Sequence, residues 1–202
     1  MNVGVVTKQQ ALLWGFSGVM LRSSGVSWDL RKLLPYDCYN HLSFSLPLGA
    51  FGDCFDRYLL RLEEMRQSLL LMQQCLDFLR RGTVRSQTFG ERSVLSLDDS
   101  KIVPPSRLLM KSSMEALIHH FKLYSEGFIA PFEETYAVVE APKGEFGVYL
   151  FSNKSNKPYR CHIKAPGFLH LQGLDALARG SYLADLVTLL GTLDLVFGEI
   201  DR

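Results

Sequence analysis

The 202 residues are 47% hydrophobic and 21% charged, with a formal net charge of +1. That composition supplies enough apolar mass for a core. It excludes the strong basic field of a nucleic-acid binder, and no run of about 18 apolar residues is present to span a bilayer. Four cysteines, Cys38, Cys54, Cys75 and Cys161, form no CxxC motif and are never closer than 16 residues. The expectation is four reduced, mostly buried thiols, with no zinc or iron–sulfur ligation from this chain. The start, Met1 to Val6, reads neither as a signal peptide nor as an Arg-rich transit peptide. The chain is therefore expected to be made where it works, or to have lost a targeting segment already.

Along the chain, Thr7 is a predicted N-cap with Gln10 three residues on, and Gly15 is the stop. Ser17 to Gly25 reads as a small-residue loop holding Arg22. Leu42 to Leu46 alternates apolar and polar and predicts a strand ending at Pro47. A long helix is predicted from about Cys54 to Leu79, opened by Gly52-Asp53. Leu59, Leu62, Met65, Leu69, Met72 and Leu76 recur at helical steps, with Arg57, Arg61, Glu64 and Arg66 on the remaining surface. Its length, roughly 35–40 Å at 1.5 Å per residue, exceeds the needs of a small domain and implies a bundle helix in a larger body. Residues 81–100 read as an exposed insertion loop, and Pro104-Pro105-Ser106 resets the chain. Ser112 or Ser113 caps a second helix from Met114 to about Glu126, ended by Gly127. Strands follow at Thr135–Glu140, Phe146–Phe151 and Tyr159–Lys164 as an antiparallel meander turned at Pro142-Lys143-Gly144. Two short helices, Leu174–Ala178 and Tyr182–Leu190, finish the pattern. The fold class is α+β, a mainly helical body with a small antiparallel meander, in one domain over residues 1–202.

Candidate chemistry is sparse. Asp53 and Asp56 beside Arg57 fit helix-start carboxylates better than a catalytic pair. His119 and His120 point about 100° apart on a helix and cannot share one metal; one is expected to be buried and the other solvent-facing. His162 and His170 fall on different elements, and Ser113 lacks a nucleophile's context. No GxSxG, P-loop or GxGxxG occurs. Gly144-Glu145-Phe146-Gly147 is hairpin chemistry. Arg22, Arg57, Arg160 and Arg202 each lie in or beside apolar sequence and demand carboxylate partners if buried; Asp53, Asp56, Glu145, Asp175 and Asp185 are available. The residues by themselves stop short of a reaction. The end, Asp194-Leu195-Val196-Phe197-Gly198-Glu199-Ile200-Asp201-Arg202, sets charges directly after an apolar run, which implies a tail that is tucked in rather than frayed.

Several stretches carry a family resemblance. They are Gly15–Arg22, Trp28–Arg31, Pro35–Asp37, Gly52–Tyr58, Glu63–Ser68, Ser113–Phe121, Glu140–Gly147, Pro158–Cys161, Ala165–Phe168 and Asp194–Arg202. In this order they resemble the C-terminal half of the large, forty-nine-kilodalton-type subunit of respiratory complex I, the NADH:ubiquinone oxidoreductase. Departures are Arg22-Ser23-Ser24-Gly25, where that family usually has Arg-Gly-Ser-Gly, Phe51 where an Arg commonly stands, and a longer 81–100 loop.

The resemblance implies a nickel–iron-hydrogenase large-subunit-like fold whose ancestral metal cavity serves quinone, since no Cys stands near the C-terminus. It implies a share in a ubiquinone-reduction chamber, with Asp194 and Val196 as quinone-region residues and Phe197 and Arg202 as their neighbours. An Asp against an apolar wall would tune local proton affinity; Val196 would shape the wall or simply pack. Implied partners are the N-terminal half of the same subunit as a separate chain, an iron–sulfur quinone-module subunit that holds the cluster, and other complex I subunits. The implied place is the peripheral arm docked to membrane subunits, on the matrix side of the mitochondrial inner membrane. The rival readings are a non-catalytic scaffold half-subunit and a hydrogenase-type fragment that binds nickel.

Overall fold

The protein is described by a computed structural model over residues 2–80 and 103–201. Helices α1 (Lys8–Leu13), α2 (Val19–Arg22), α3 (Leu30–Leu33) and α4 (Cys54–Arg80) come first, with a 3-10 turn at Tyr39–His41. Helices α5 (Arg107–Ser112) and α6 (Met114–Ser125) lead into strands β1 (Glu134–Ala141), β2 (Gly144–Phe151) and β3 (Arg160–Lys164). Helices α7 (Pro166–Gln172), α8 (Leu174–Ala178), α9 (Leu183–Leu193) and α10 (Phe197–Asp201) follow. The strands pair antiparallel in the order β1-β2-β3, so the predicted α+β class and meander are present. The predicted insertion loop at 81–100 lies outside the described residues.

The chain divides into two compact units. The first comprises Met1–Asp77, Ala137–Val148 and Ile163–Arg202. Its core joins Val6, Ala11, Phe16, Met20, Leu21, Leu177, Leu189 and Leu193. Helix α1 opens as its sequence predicts. The Gln10 amide donates to Thr7 Oγ1 at 3.3 Å, and the Thr7 amide donates to Gln10 Oε1 at 3.0 Å. This reciprocal box satisfies two otherwise orphaned donors. Thr7→Ala is expected to cost about 1 kcal/mol, read as faster amide exchange in α1 with the α6 amides unchanged; equal exchange in both variants would show that the box is dispensable.

Three expectations for this unit are corrected. The segment from Ser17 to Gly25 contains a helical turn, α2, whose four residues are all buried. Gly18, at φ 65°, lets the chain turn into α2, and a Cβ there would stand 2.4 Å from the Lys143 carbonyl oxygen in the β1–β2 turn. The alternating segment Leu42–Leu46 is extended but joins no sheet. The Ser43 and Ser45 amides donate to Gln74 Oε1 and Gln67 Oε1 at 2.8 and 3.1 Å, and Gln74 Nε2 donates back to the Ser43 carbonyl at 2.6 Å. Helix side chains thus supply the partners that a neighbouring strand would. The third correction concerns α4, which is inverted with respect to its pattern. Arg57 and Leu60 are buried while Leu59, Met65, Leu69, Met72 and Leu76 are exposed. The inner face carries Arg57, Leu60 and Leu71, with Arg61 and Glu64 half-buried.

The second unit comprises Phe78–Tyr136 and Tyr149–His162. Ser106 caps α5, a helix not predicted, and Ser113 caps α6 through the Ala116 amide. Gly127 takes φ 79° after α6, and Asn156 Nδ2 donates to the Glu126 carbonyl. Phe132, Phe151 and Tyr159 meet edge to face at 5.4 and 5.9 Å. His119 and His120 are both half-buried rather than divided between core and solvent. His119 lies 4.0 Å from Glu115, one helical turn away, and His120 rests on Tyr124. Arg160, expected in an apolar setting, is exposed.

The thiols also differ from expectation. All four are free, but Cys38 and Cys161 are exposed and Cys54 and Cys75 half-buried. Among the described residues no three His, Cys, Asp or Glu side chains converge on a metal position, so these donors do not fit an iron–sulfur cluster. No described helix is long and apolar enough to cross a membrane.

Candidate functional site

The first unit holds a buried ion cluster centred on Arg22, the last residue of α2. Its Nε and Nη2 reach Glu64 Oε1 of α4 at 2.9 and 2.8 Å. Its Nη1 donates to Glu140 Oε1 of β1 at 2.8 Å and to the Trp28 carbonyl at 3.2 Å, with Asp29 at 3.8 Å. Asp29, the N-cap of α3, is itself saturated: Oδ1 accepts from the Arg31 amide and Nε at 2.9 and 3.0 Å, and Oδ2 from Arg31 Nη2 at 2.7 Å. Glu140 Oε2 accepts from the Leu30 amide at 3.4 Å.

Burial disfavours the Arg22 charge, but Glu64, Glu140 and Asp29 outweigh it, and its proton affinity rises above the usual guanidinium value. Arg31 follows the same logic, burial opposing and Asp29 prevailing. Burial pushes the Glu140 carboxyl up, and Arg22 offsets that only in part. Burial lowers Arg61, with Asp194 acting the other way.

Arg57 pairs with no carboxylate among the described residues. Its Nε donates to Thr192 Oγ1 at 2.9 Å, Nη1 to the Gly52 carbonyl at 2.8 Å and Nη2 to the Gly4 carbonyl at 2.7 Å. Arg61 Nη2 donates to the Thr192 carbonyl. Two arginines of α4 therefore clamp the end of α9, where orphaned carbonyls and the negative end of the dipole favour a cation. The partners expected for the buried arginines are engaged elsewhere. Asp53 caps α4 by accepting from the Asp56 and Asn2 amides, which hold its carboxyl below the usual range against the effect of burial. Asp56 accepts from the Ala50 and Phe51 amides. Glu145 pairs with Lys164, Asp175 with Arg179, and Asp185 accepts from the Tyr182 amide.

A cleft of about 460 Å³ opens beside this cluster, lined by Arg22, Arg31, Arg61, Glu64, Glu140 and Asp194 among others. Asp194 follows α9 in the left-handed conformation, φ 50°, a geometry that Asp tolerates better than most residues. Val196 and Phe197 are not among the residues lining the cleft and are 48% and 71% exposed. Arg202 lies outside the described residues. The structure therefore brings one of the four expected site residues to the cleft.

Sequence reading missed Glu140, Glu64 and Arg61 as cleft residues. It also missed Glu199 of α10, whose Oε2 accepts from the Gly167 amide at 3.2 Å and stands 3.6 Å from Lys143 Nζ. The signal available was the run of residues surrounding Glu140, which resembles a family motif. His170 is buried on α7, edge-on to Phe16. Its Nε2 is 3.1 Å from the Ser17 carbonyl and 3.4 Å from the Ser17 amide. Burial pushes His170 down to about 4.

A buried polar cluster, a cleft beside it and a long helix with exposed apolar side chains belong to a protein of the α+β class. The family model for the respiratory-chain NADH dehydrogenase 49 Kd subunit matches residues 1–202, and the chain belongs to that family. It is 60% identical to the NADH-ubiquinone oxidoreductase 49 kDa subunit of Reclinomonas americana and 59% identical to the NADH dehydrogenase [ubiquinone] iron-sulfur protein 2 of Nephroselmis olivacea. It is also 59% identical to an NADH-quinone oxidoreductase subunit of Ehrlichia canis. In each case all of this chain is covered but only 48% of the relative, so the chain spans about half the length of the curated relatives it matches.

Proposed function

We propose that this chain forms one wall of a ubiquinone-reduction chamber in a proton-translocating respiratory NADH dehydrogenase, and that it acts only within that complex. The observation that carries the reading is Asp194, held in a left-handed turn on a cleft that also exposes Arg61 and Glu140. A carboxylate there, with guanidiniums facing it, supplies the mix of charge and hydrogen-bond donors that an oxidised quinone's carbonyl oxygens require. Val196 and Phe197, exposed on the same terminal segment, would line the apolar part of the chamber once partners cover it. Arg202 would neighbour that region.

Electrons would come from an iron–sulfur cluster held by a neighbouring subunit, because this chain's thiols are dispersed. The other partners are the sequence that completes the relatives' length, supplied as a second polypeptide, and further subunits that dock the arm on the matrix side of the mitochondrial inner membrane. The hydrogenase-like ancestry of the fold belongs to the same proposal. Asp194→Ala and Val196→Met in the assembled complex are expected to lower ubiquinone reductase activity at least about tenfold, with unchanged subunit content by native mass spectrometry. Unchanged activity in both would leave the chain a scaffold. Recovery of this chain without any other subunit would remove the reading altogether.

A further inference from the structure

The ion cluster carries more acid than base. Arg22 and Arg31 face Asp29, Glu64 and Glu140, all within one network of contacts at 2.7–3.8 Å. If every group were ionised, the buried cluster would hold one uncompensated negative charge, which a low-dielectric interior strongly disfavours. The lowest-cost correction is a proton on one carboxylate. Asp29 is excluded, because both its oxygens accept short bonds from Arg31. Glu64 is the carboxylate most open to solvent, at 20% exposure, against 3% for Glu140. Glu140 remains, and its Oε2 accepts from the Leu30 amide at the long distance of 3.4 Å. Glu140 also lines the cleft that Asp194 lines.

We infer that the Glu140 carboxyl is a proton-holding group for the quinone reaction, loading and unloading its proton at Oε2 through the cleft it shares with Asp194. The inference rests on the proposed quinone function. Reducing a quinone to a quinol takes two electrons and two protons. The electrons come from NADH through partner carriers. Glu140 supplies one proton, its Oε2–H bond breaking as an O–H bond forms on one quinone oxygen; solvent water supplies the second proton to the other oxygen, and the Glu140 carboxylate is momentarily held beside Arg22, already bonded to Oε1. Solvent entering the cleft then returns the proton, since a polar cleft of this size is large enough to hold water. The charged and titratable groups that face Glu140 are Arg22 from α2, Asp29 and Arg31 from α3 and its cap, and Tyr36, whose hydroxyl accepts from the Glu140 amide. Glu64 lies across Arg22, and Arg61 and Asp194 lie across the cleft. Burial holds the proton on Glu140 to a higher pH than an ordinary carboxyl would, with Arg22 opposing.

The test uses the assembled complex with Glu140→Gln and Glu140→Asp, and a short-chain ubiquinone as substrate. Gln preserves shape and the neutral state but cannot release a proton. E140Q is expected to lower the quinone reductase rate about 100-fold, the lower end of what a positioned proton donor contributes. It should also abolish the fall in rate that the wild type shows as rising pH empties the carboxyl, and E140D should restore that limb in part. Infrared difference spectra should show a protonated-carboxyl stretch in the wild-type complex that E140Q removes. An unchanged rate and pH profile in E140Q, or a carboxyl stretch that persists in it, would overturn the inference. A wild-type complex unable to reduce the quinone would instead sink the function reading, while the infrared comparison would still report on Glu140.

Discussion

Arg22→Met is expected to cost about 3–5 kcal/mol, the range for removing one member of a buried ion network. Two effects add. The Met side chain fills part of the space left by the guanidinium but offers no donors, and Asp29 and Glu140, 0% and 3% exposed, keep their positions in a low-dielectric setting. Asp29 retains Arg31, whereas Glu140 and Glu64 lose their only ion-pair partner among the described residues. Because the stranded Glu64 charge is the main source of the cost, Arg22→Met combined with Glu64→Gln should be less destabilising than Arg22→Met alone. Hydrogen exchange of the α2 and α4 amides measures both. A loss under about 1 kcal/mol for Arg22→Met, or strictly additive effects in the double variant, would show that packing rather than charge holds α2 against α4 and β1.

Acid should weaken the first unit through His170, and the direction follows from its depressed affinity. The folded state holds His170 near 4, whereas an unfolded chain takes a proton near 6.5. Between these values the unfolded chain binds more protons, so stability is fully present above about pH 6.5 and falls as pH drops toward 4. The full loss is about 3 kcal/mol at 1.36 kcal/mol per pH unit. The cause is geometric. Protonation would place a charge between Phe16 and the α2 turn, where burial opposes it and the Ser17 carbonyl offsets the cost only in part. Glu140 works oppositely: its raised affinity adds stability at low pH that is lost as pH rises through its folded value, so the difference between wild type and His170→Leu isolates the histidine. His170→Leu should flatten stability between pH 6.5 and 4. Parallel curves for the two proteins across that window would disprove the assignment.

Much of the local structure was legible in the residues alone. Thr7 and Gln10 announced their capping box, Ser113 and Gly127 bracketed α6, and Pro142-Lys143 marked the hairpin turn, because each of these signals acts within a few residues. The helical period of Leu59 to Leu76 located α4 correctly. It did not show which face was inside, because periodicity reports a stripe and leaves its partner unspecified. Here Arg57, Arg61 and Glu64 face the unit's interior, where α9 carbonyls and Arg22 meet them, and Leu59, Leu69 and Leu76 face outward. Leu42 to Leu46 failed for a related reason: alternation describes an extended chain, and glutamines of α4 bonded that chain instead of another strand.

The terminal Asp194 was singled out from its neighbours in the chain, while its setting required the fold. By itself the sequence determined the α+β class, the capped helices, the meander and membership of a family, since these rest on short-range patterns and on the order of motifs. Only the tertiary structure decided the ion cluster and the cleft. Arg22 meets Glu64 and Glu140 across 42 and 118 residues, and no local rule couples residues so far apart. Burial alone sets which of their charges is costly and where a proton resides.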